Sequence, residues 1–91
     1  MMSFQGNVLL IDDEDSLRHT LTRVLKAAGC EVSSASNGPE ALRLMNNLHF
    51  DLVYLDIHLP GMSGLEILQK IRKSQTDLPV ILFTGHASLQ S

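Results

Sequence analysis

Short, wholly apolar runs alternate along the chain with longer stretches whose apolar residues recur at helical spacing. Val8 to Ile11 is apolar throughout and stops abruptly at Asp12-Asp13-Glu14-Asp15, the pattern of a strand buried on both faces. Leu17, Leu21, Val24, Leu25 and Ala28 then recur at helical spacing, with Asp15 or Ser16 able to cap the start and Gly29 placed where a left-handed residue ends a helix. Cys30 to Ser34, with Val32 as its apolar centre, predicts a short edge strand. Asn37-Gly38-Pro39 opens a second helix with proline in its first turn, and Ala41, Leu42, Leu44, Met45 and Leu48 form its stripe. Asp51 to Asp56 reads as another buried strand, Pro60-Gly61 forces a turn, and Leu65, Leu68 and Ile71 mark a third helix. Leu78-Pro79 leads into a last apolar run, Val80 to Phe83.

Strands alternating with helices predict an α/β fold: a doubly wound parallel sheet with right-handed crossovers and helices on both faces. Such sheets bind ligands beyond the carboxyl ends of their strands, where the strand order reverses. The informative residues therefore follow each apolar run: Asp12 and Asp13, Asp56, and Thr84, which is expected to face the same crevice. Carboxylates gathered at one sheet edge raise one another's pKa values unless a cation is present. Oxygen-only ligands suit a hard ion, Mg²⁺ before Ca²⁺. A lone carboxylate beside such an ion can act as a nucleophile toward phosphorus, and Asp56, standing alone after Leu52 to Leu55, is the best placed. Capping of the first helix is the competing structural role for Asp12 or Asp13 taken singly.

Composition narrows the field. The 91 residues suffice for one small domain, and 44% hydrophobic with 19% charged residues is a globular balance. A net charge of −3 provides no basic field for nucleic acid or an anionic membrane. The single cysteine, Cys30, excludes an intrachain disulfide, fits a reducing cytoplasm and reads as a small buried residue on a strand. No run approaches the ~18 apolar residues of a membrane span, and residues 1–6 lack a signal-peptide pattern. His58 and His86 follow strand ends without zinc-ligand spacing, and His19 and His49 read as helix-surface and loop residues.

From Val8 to about Ser88 the sequence resembles the receiver domain of two-component response regulators. The stretches that carry the resemblance are Leu9-Leu-Ile-Asp-Asp-Glu-Asp15, Asn37-Gly-Pro-Glu-Ala-Leu42, Asp51-Leu-Val-Tyr-Leu-Asp56, Leu59-Pro-Gly-Met-Ser-Gly64 and Pro79-Val-Ile-Leu-Phe-Thr84. The resemblance implies a flavodoxin-like sheet in the order 2-1-3-4 and a phospho-accepting signalling module rather than an enzyme. Asp56 would take a phosphoryl group from the phosphohistidine of a sensor histidine kinase. Asp13, Asp56 and the backbone carbonyl of His58 would bind Mg²⁺ directly, Asp12 would hold it through water, and Thr84 would be the switch hydroxyl that signals to an output domain of the parent protein. Thr84-Gly-His-Ala87 is similar to receivers on transcription activators of the sigma-54 class. The family adds a fifth strand, two further helices and a lysine after that strand; none of Lys26, Lys70 and Lys73 matches this lysine, so residues 1–91 are expected to be a C-terminally incomplete receiver. Val80 to Phe83 would then be an uncovered edge that a second copy, forming a homodimer, can cover.

Two other readings compete. Asp13-Glu14-Asp15 has the Asp-x-Asp form of an aspartate-nucleophile phosphatase of the haloacid dehalogenase type, with Asp13 as nucleophile, but that class calls for Thr or Val where Leu17 stands. A receiver acting only as an unphosphorylated interaction domain is the third reading, and the retained acids argue against it.

Overall fold

A computed structural model describes residues 6–83 and resolves them as β1 (Asn7–Ile11), α1 (Asp15–Ala27), β2 (Glu31–Ala35), α2 (Gly38–Asn47), β3 (Leu52–Asp56), α3 (Gly64–Ser74) and β4 (Val80–Phe83). The strands form one parallel sheet in the order β2-β1-β3-β4, as the resemblance implied. β1 is central, and Val8 to Ile11 are 0–1% exposed. Its uninterrupted apolar run has a physical cause: side chains alternate between faces, and here both faces are covered. Leu9, Ile11, Val53 and Leu55 join Ala41 of α2 and Ile67 and Ile71 of α3 in one core. Val8, Leu10 and Cys30 form the other, against Leu21 and Leu25 of α1.

Helix ends follow local chemistry, with one exception. Asn37 caps α2 by accepting the Glu40 N–H at 2.9 Å. Ser63 and Glu66 form a reciprocal capping box on α3. Gly29 is left-handed, φ 102°, and the Cys30 and Gly29 N–H groups reach the Leu25 and Lys26 carbonyls, closing α1 in a Schellman motif. At the start of α1, however, the cap position belongs to Glu14 and carries no side-chain hydrogen bond, so neither Asp15 nor Ser16 caps it. Asp15 pairs with Arg18 instead.

The stripe of α3 also differs from expectation. Ile67 and Ile71 are buried and Leu68 packs beside them, whereas Leu65 is 52% exposed. The first residue of the helix makes a close approach to β3. A Cβ on Gly64 would lie 2.4 Å from the Asp56 carbonyl oxygen and 2.7 Å from Ile57 Cα. The Gly64 N–H donates to the Ile57 carbonyl at 3.0 Å, anchoring α3 to the end of β3. Cys30 is buried but precedes β2 rather than lying on it. β4 is the sheet edge among the described residues, and Ile81 and Leu82 on its two faces are 47% and 37% exposed.

Candidate metal and phosphoryl-acceptor site

The strand order places the site. β1 connects onward to β2 on one side and pairs with β3 on the other, so the carboxyl ends of β1 and β3 flank the point where the order reverses. Ile11 pairs with Leu55, and the next residue on each strand is an aspartate, Asp12 and Asp56. These two are 2% and 0% exposed, the buried charged residues of the described chain. Asp13, the following residue, is exposed, yet one carboxylate oxygen from each of Asp12, Asp13 and Asp56 lies within 4.8 Å of the others.

Main-chain groups orient these acids. Asp12 Oδ1 accepts the Glu14 N–H at 2.9 Å, the Asp12 N–H donates to the Ala35 carbonyl at 3.1 Å, and the Asp12 carbonyl accepts from Arg18 Nη1 at 2.7 Å. Asp56 Oδ1 accepts the His58 N–H at 3.0 Å. Burial pushes the Asp12 carboxyl above the ordinary carboxylate range; the Glu14 N–H opposes the shift, and Asp56, Asp13 and Glu14 add to it by repulsion.

Asp12 Oδ2 is buried with no hydrogen-bond partner. A buried carboxylate oxygen left so is costly unless something cationic approaches it. With three carboxylates converging and no sulfur or imidazole donor in the cluster, the residues fit a hard divalent cation of the Mg²⁺ type. Of the residues singled out from sequence, Asp12, Asp13 and Asp56 are brought together. His58 follows β3 with an exposed side chain and contributes its main chain to the site. Thr84 and His86 lie outside the described residues. Sequence reasoning missed Arg18 and Gly64. Arg18 carried a signal, a long cation one helical turn inside the acidic start of α1; the need for glycine at 64 arises only from the backbone of another element.

The chain matches the family model of the response regulator receiver domain over residues 8–91. Regulatory protein AtoC of Escherichia coli is 37% identical over 90 residues, which are 99% of this chain and 20% of AtoC. The chain thus spans a fifth of that relative's length. NtrX from Brucella abortus, solved in complex with ADP, superposes with a TM-score of 0.87 at 33% identity, over 94% of this chain and 20% of NtrX. TrrA of Thermotoga maritima, solved with Mg²⁺–BeF, superposes with a TM-score of 0.84 at 39% identity, over 96% of this chain and 75% of TrrA. TrrA has also been solved in complex with the histidine kinase ThkA. By its sheet order, its acid cluster and these matches, the chain belongs to the receiver domains of two-component response regulators.

Proposed function

We propose that the chain accepts a phosphoryl group on Asp56 from a sensor histidine kinase, in a Mg²⁺-dependent reaction, and passes the signal to an output domain that regulates transcription. The observation that carries this reading is a carboxylate 0% exposed at the strand-order reversal, with Asp12 and Asp13 oxygens within 4.8 Å. An Asp56 carboxylate oxygen attacks phosphorus, an O–P bond forms, and the N–P bond of the phosphohistidine breaks with its electron pair returning to the imidazole, which takes a proton. The His58 N–H on Oδ1 fixes the plane of the attacking carboxylate before the donor arrives. Asp13, Asp56 and the His58 carbonyl would hold Mg²⁺ directly, with Asp12 holding it through water. When bound there, such an ion would supply charge neutralisation for the acids and the incoming phosphoryl oxygens.

The product is an acyl phosphate with about one additional negative charge and new acceptor oxygens. Thr84, outside the described residues, donates to it only once it is present, which gives the two states the differential contact a switch requires. On this reading the phosphoryl group rests on the chain itself and its presence is the output, so the chain acts as a signalling relay rather than an enzyme. TrrA, solved with both Mg²⁺–BeF and a histidine kinase, supports the ion and the partner. No helix among the described residues is long and apolar enough to cross a membrane; a cytoplasmic location is part of this reading, and the single cysteine accords with it.

The phosphatase reading needs Asp13 and Asp15 to work as a pair. Asp13 is exposed, and the Asp15 side chain is 91% exposed and engaged with Arg18. That geometry favours Asp56 as the nucleophile. Incubation with acetyl phosphate and Mg²⁺, followed by intact-mass measurement and peptide mapping, should place the label on Asp56 and lose it in Asp56→Asn. Label at wild-type level on Asp13 in that variant would establish the phosphatase reading instead, and no label on the wild-type chain the interaction-domain reading.

A further inference from the structure

We propose that Arg18 is a positioning residue for the cation site, pinning the main chain so that Asp13 is held at the acid cluster. This rests on the Mg²⁺ reading given above. Asp13 is exposed, so burial does not fix its side chain, yet its carboxylate lies with the buried Asp12 and Asp56. The peptide groups on both sides of Asp13 are held. The preceding carbonyl, that of Asp12, accepts from Arg18 Nη1 at 2.7 Å. The following N–H, that of Glu14, donates to Asp12 Oδ1 at 2.9 Å. Arg18 is itself constrained: its side chain is only 19% exposed, its N–H donates to the Glu14 carbonyl at 3.1 Å, and Nη2 donates to Asp15. A planar, multiply bonded guanidinium holds a direction that a single-point donor does not.

The direction of the Arg18 bonds matters. A cation among acids is ordinarily read as neutralising them, but Nη1 of this one is spent on a carbonyl. The two roles predict opposite signs. If Arg18 acts only through charge, removing it lowers the positive potential at the cluster and tightens Mg²⁺ binding. If it positions Asp13, removing it frees the loop and weakens Mg²⁺ binding despite the more favourable charge.

The test titrates Mg²⁺ into wild type, Arg18→Met and Arg18→Lys, with thermal unfolding of each as a control and amide exchange at Glu14 as a metal-free readout. Arg18→Met should bind Mg²⁺ roughly tenfold more weakly, the scale of losing an outer-shell support, with faster exchange at Glu14. Arg18→Lys should recover part of the loss. If Arg18→Met does not fold, Arg18→Gln, neutral and able to donate once, is read in the same way. Binding equal to or tighter than wild type in a folded neutral variant overturns the positioning role. If wild type shows no saturable Mg²⁺ binding that Asp13→Asn removes, the site reading itself fails, and the inference with it.

Discussion

The two ends of the sheet treat the same residue type in opposite ways. At the amino end of β3, both oxygens of Asp51 have partners: Oδ2 accepts the Asn7 N–H at 2.8 Å, tying the start of β3 to the start of β1, and Oδ1 lies 3.2 Å from His49 Nε2. The Asn7 N–H, aided by His49, holds this carboxyl below the ordinary range. At the carboxyl end of β1, Asp12 is buried, has one oxygen without a partner, and has its pKa raised by burial and by neighbouring acids. The first carboxylate serves the fold and its charge is answered by the chain. The second is penalised in its charged form, which a cation at the cluster would relieve. Unfavourable electrostatics confined to one sheet edge are a marker of function.

The largest expected effect tests the scaffold of the carboxyl end. Gly64→Ala would set a Cβ 2.4 Å from the Asp56 carbonyl oxygen and 2.7 Å from Ile57 Cα, and backbone cannot yield as a side-chain tip can. A loss of about 2–3 kcal/mol is expected in urea unfolding, together with weaker phosphorylation. Unchanged stability would mean that the contact between α3 and β3 is looser than described.

Next in size is Asp12→Asn, which addresses the contrast directly. The folded-state pKa of Asp12 is raised, so the ionised form is penalised in the fold. The penalty is absent below the unfolded value of 3.8, grows as pH rises through the folded value, and is constant above it. At neutral pH and without divalent cations, Asp12→Asn should therefore be more stable than wild type by on the order of 1 kcal/mol. The gain should vanish in acid, and Mg²⁺ should narrow it by stabilising wild type more. A variant less stable than wild type at neutral pH would collapse the distinction between the two ends.

The smallest effect is expected at the other end. Asp51 has a lowered folded pKa, so its contribution is present above pH 3.8 and is lost as pH falls through the folded value. Its side chain is 41% exposed, and solvent screens much of the interaction. Asp51→Asn keeps an acceptor for the Asn7 N–H and loses only the charge. It should be slightly less stable than wild type at neutral pH and indistinguishable from it in strong acid, and Mg²⁺ should leave the difference between the two unchanged. A Mg²⁺-dependent difference would show that the two ends are coupled.

Much of the fold was legible in the chain. The apolar runs of β1 and β3 announced strands covered on both faces, Gly29 and Asn37 marked helix ends, and the acids after Ile11 and Leu55 announced the site. Other features were misread. Neither Asp15 nor Ser16 caps α1, because the helix begins at Asp15 and the cap position falls on Glu14; Asp15 pairs with Arg18. Leu65 and Ile67 are both compatible with helical spacing, and the structure buries Ile67 while Gly64 lies against the Asp56 carbonyl. Thr84, named from sequence as the switch, lies outside the described residues and stays an expectation within the proposal.

Periodicity, turn residues and caps act over a few residues, so the sequence by itself determined the elements, their order and which acids stand at strand ends. Solvent loss and charge coupling depend on neighbours distant in the chain. Only tertiary structure decided that Asp12 and Asp56 are buried while Asp13 is exposed, that Arg18 takes a carbonyl rather than a carboxylate at the cluster, and that Asp12 and Asp51 shift in opposite directions. The reason is that a carboxylate's free energy is set by the water and donors around it: near neighbours contribute, but the burial of Asp12 and the Asn7 N–H at Asp51 arrive with distant segments of the chain.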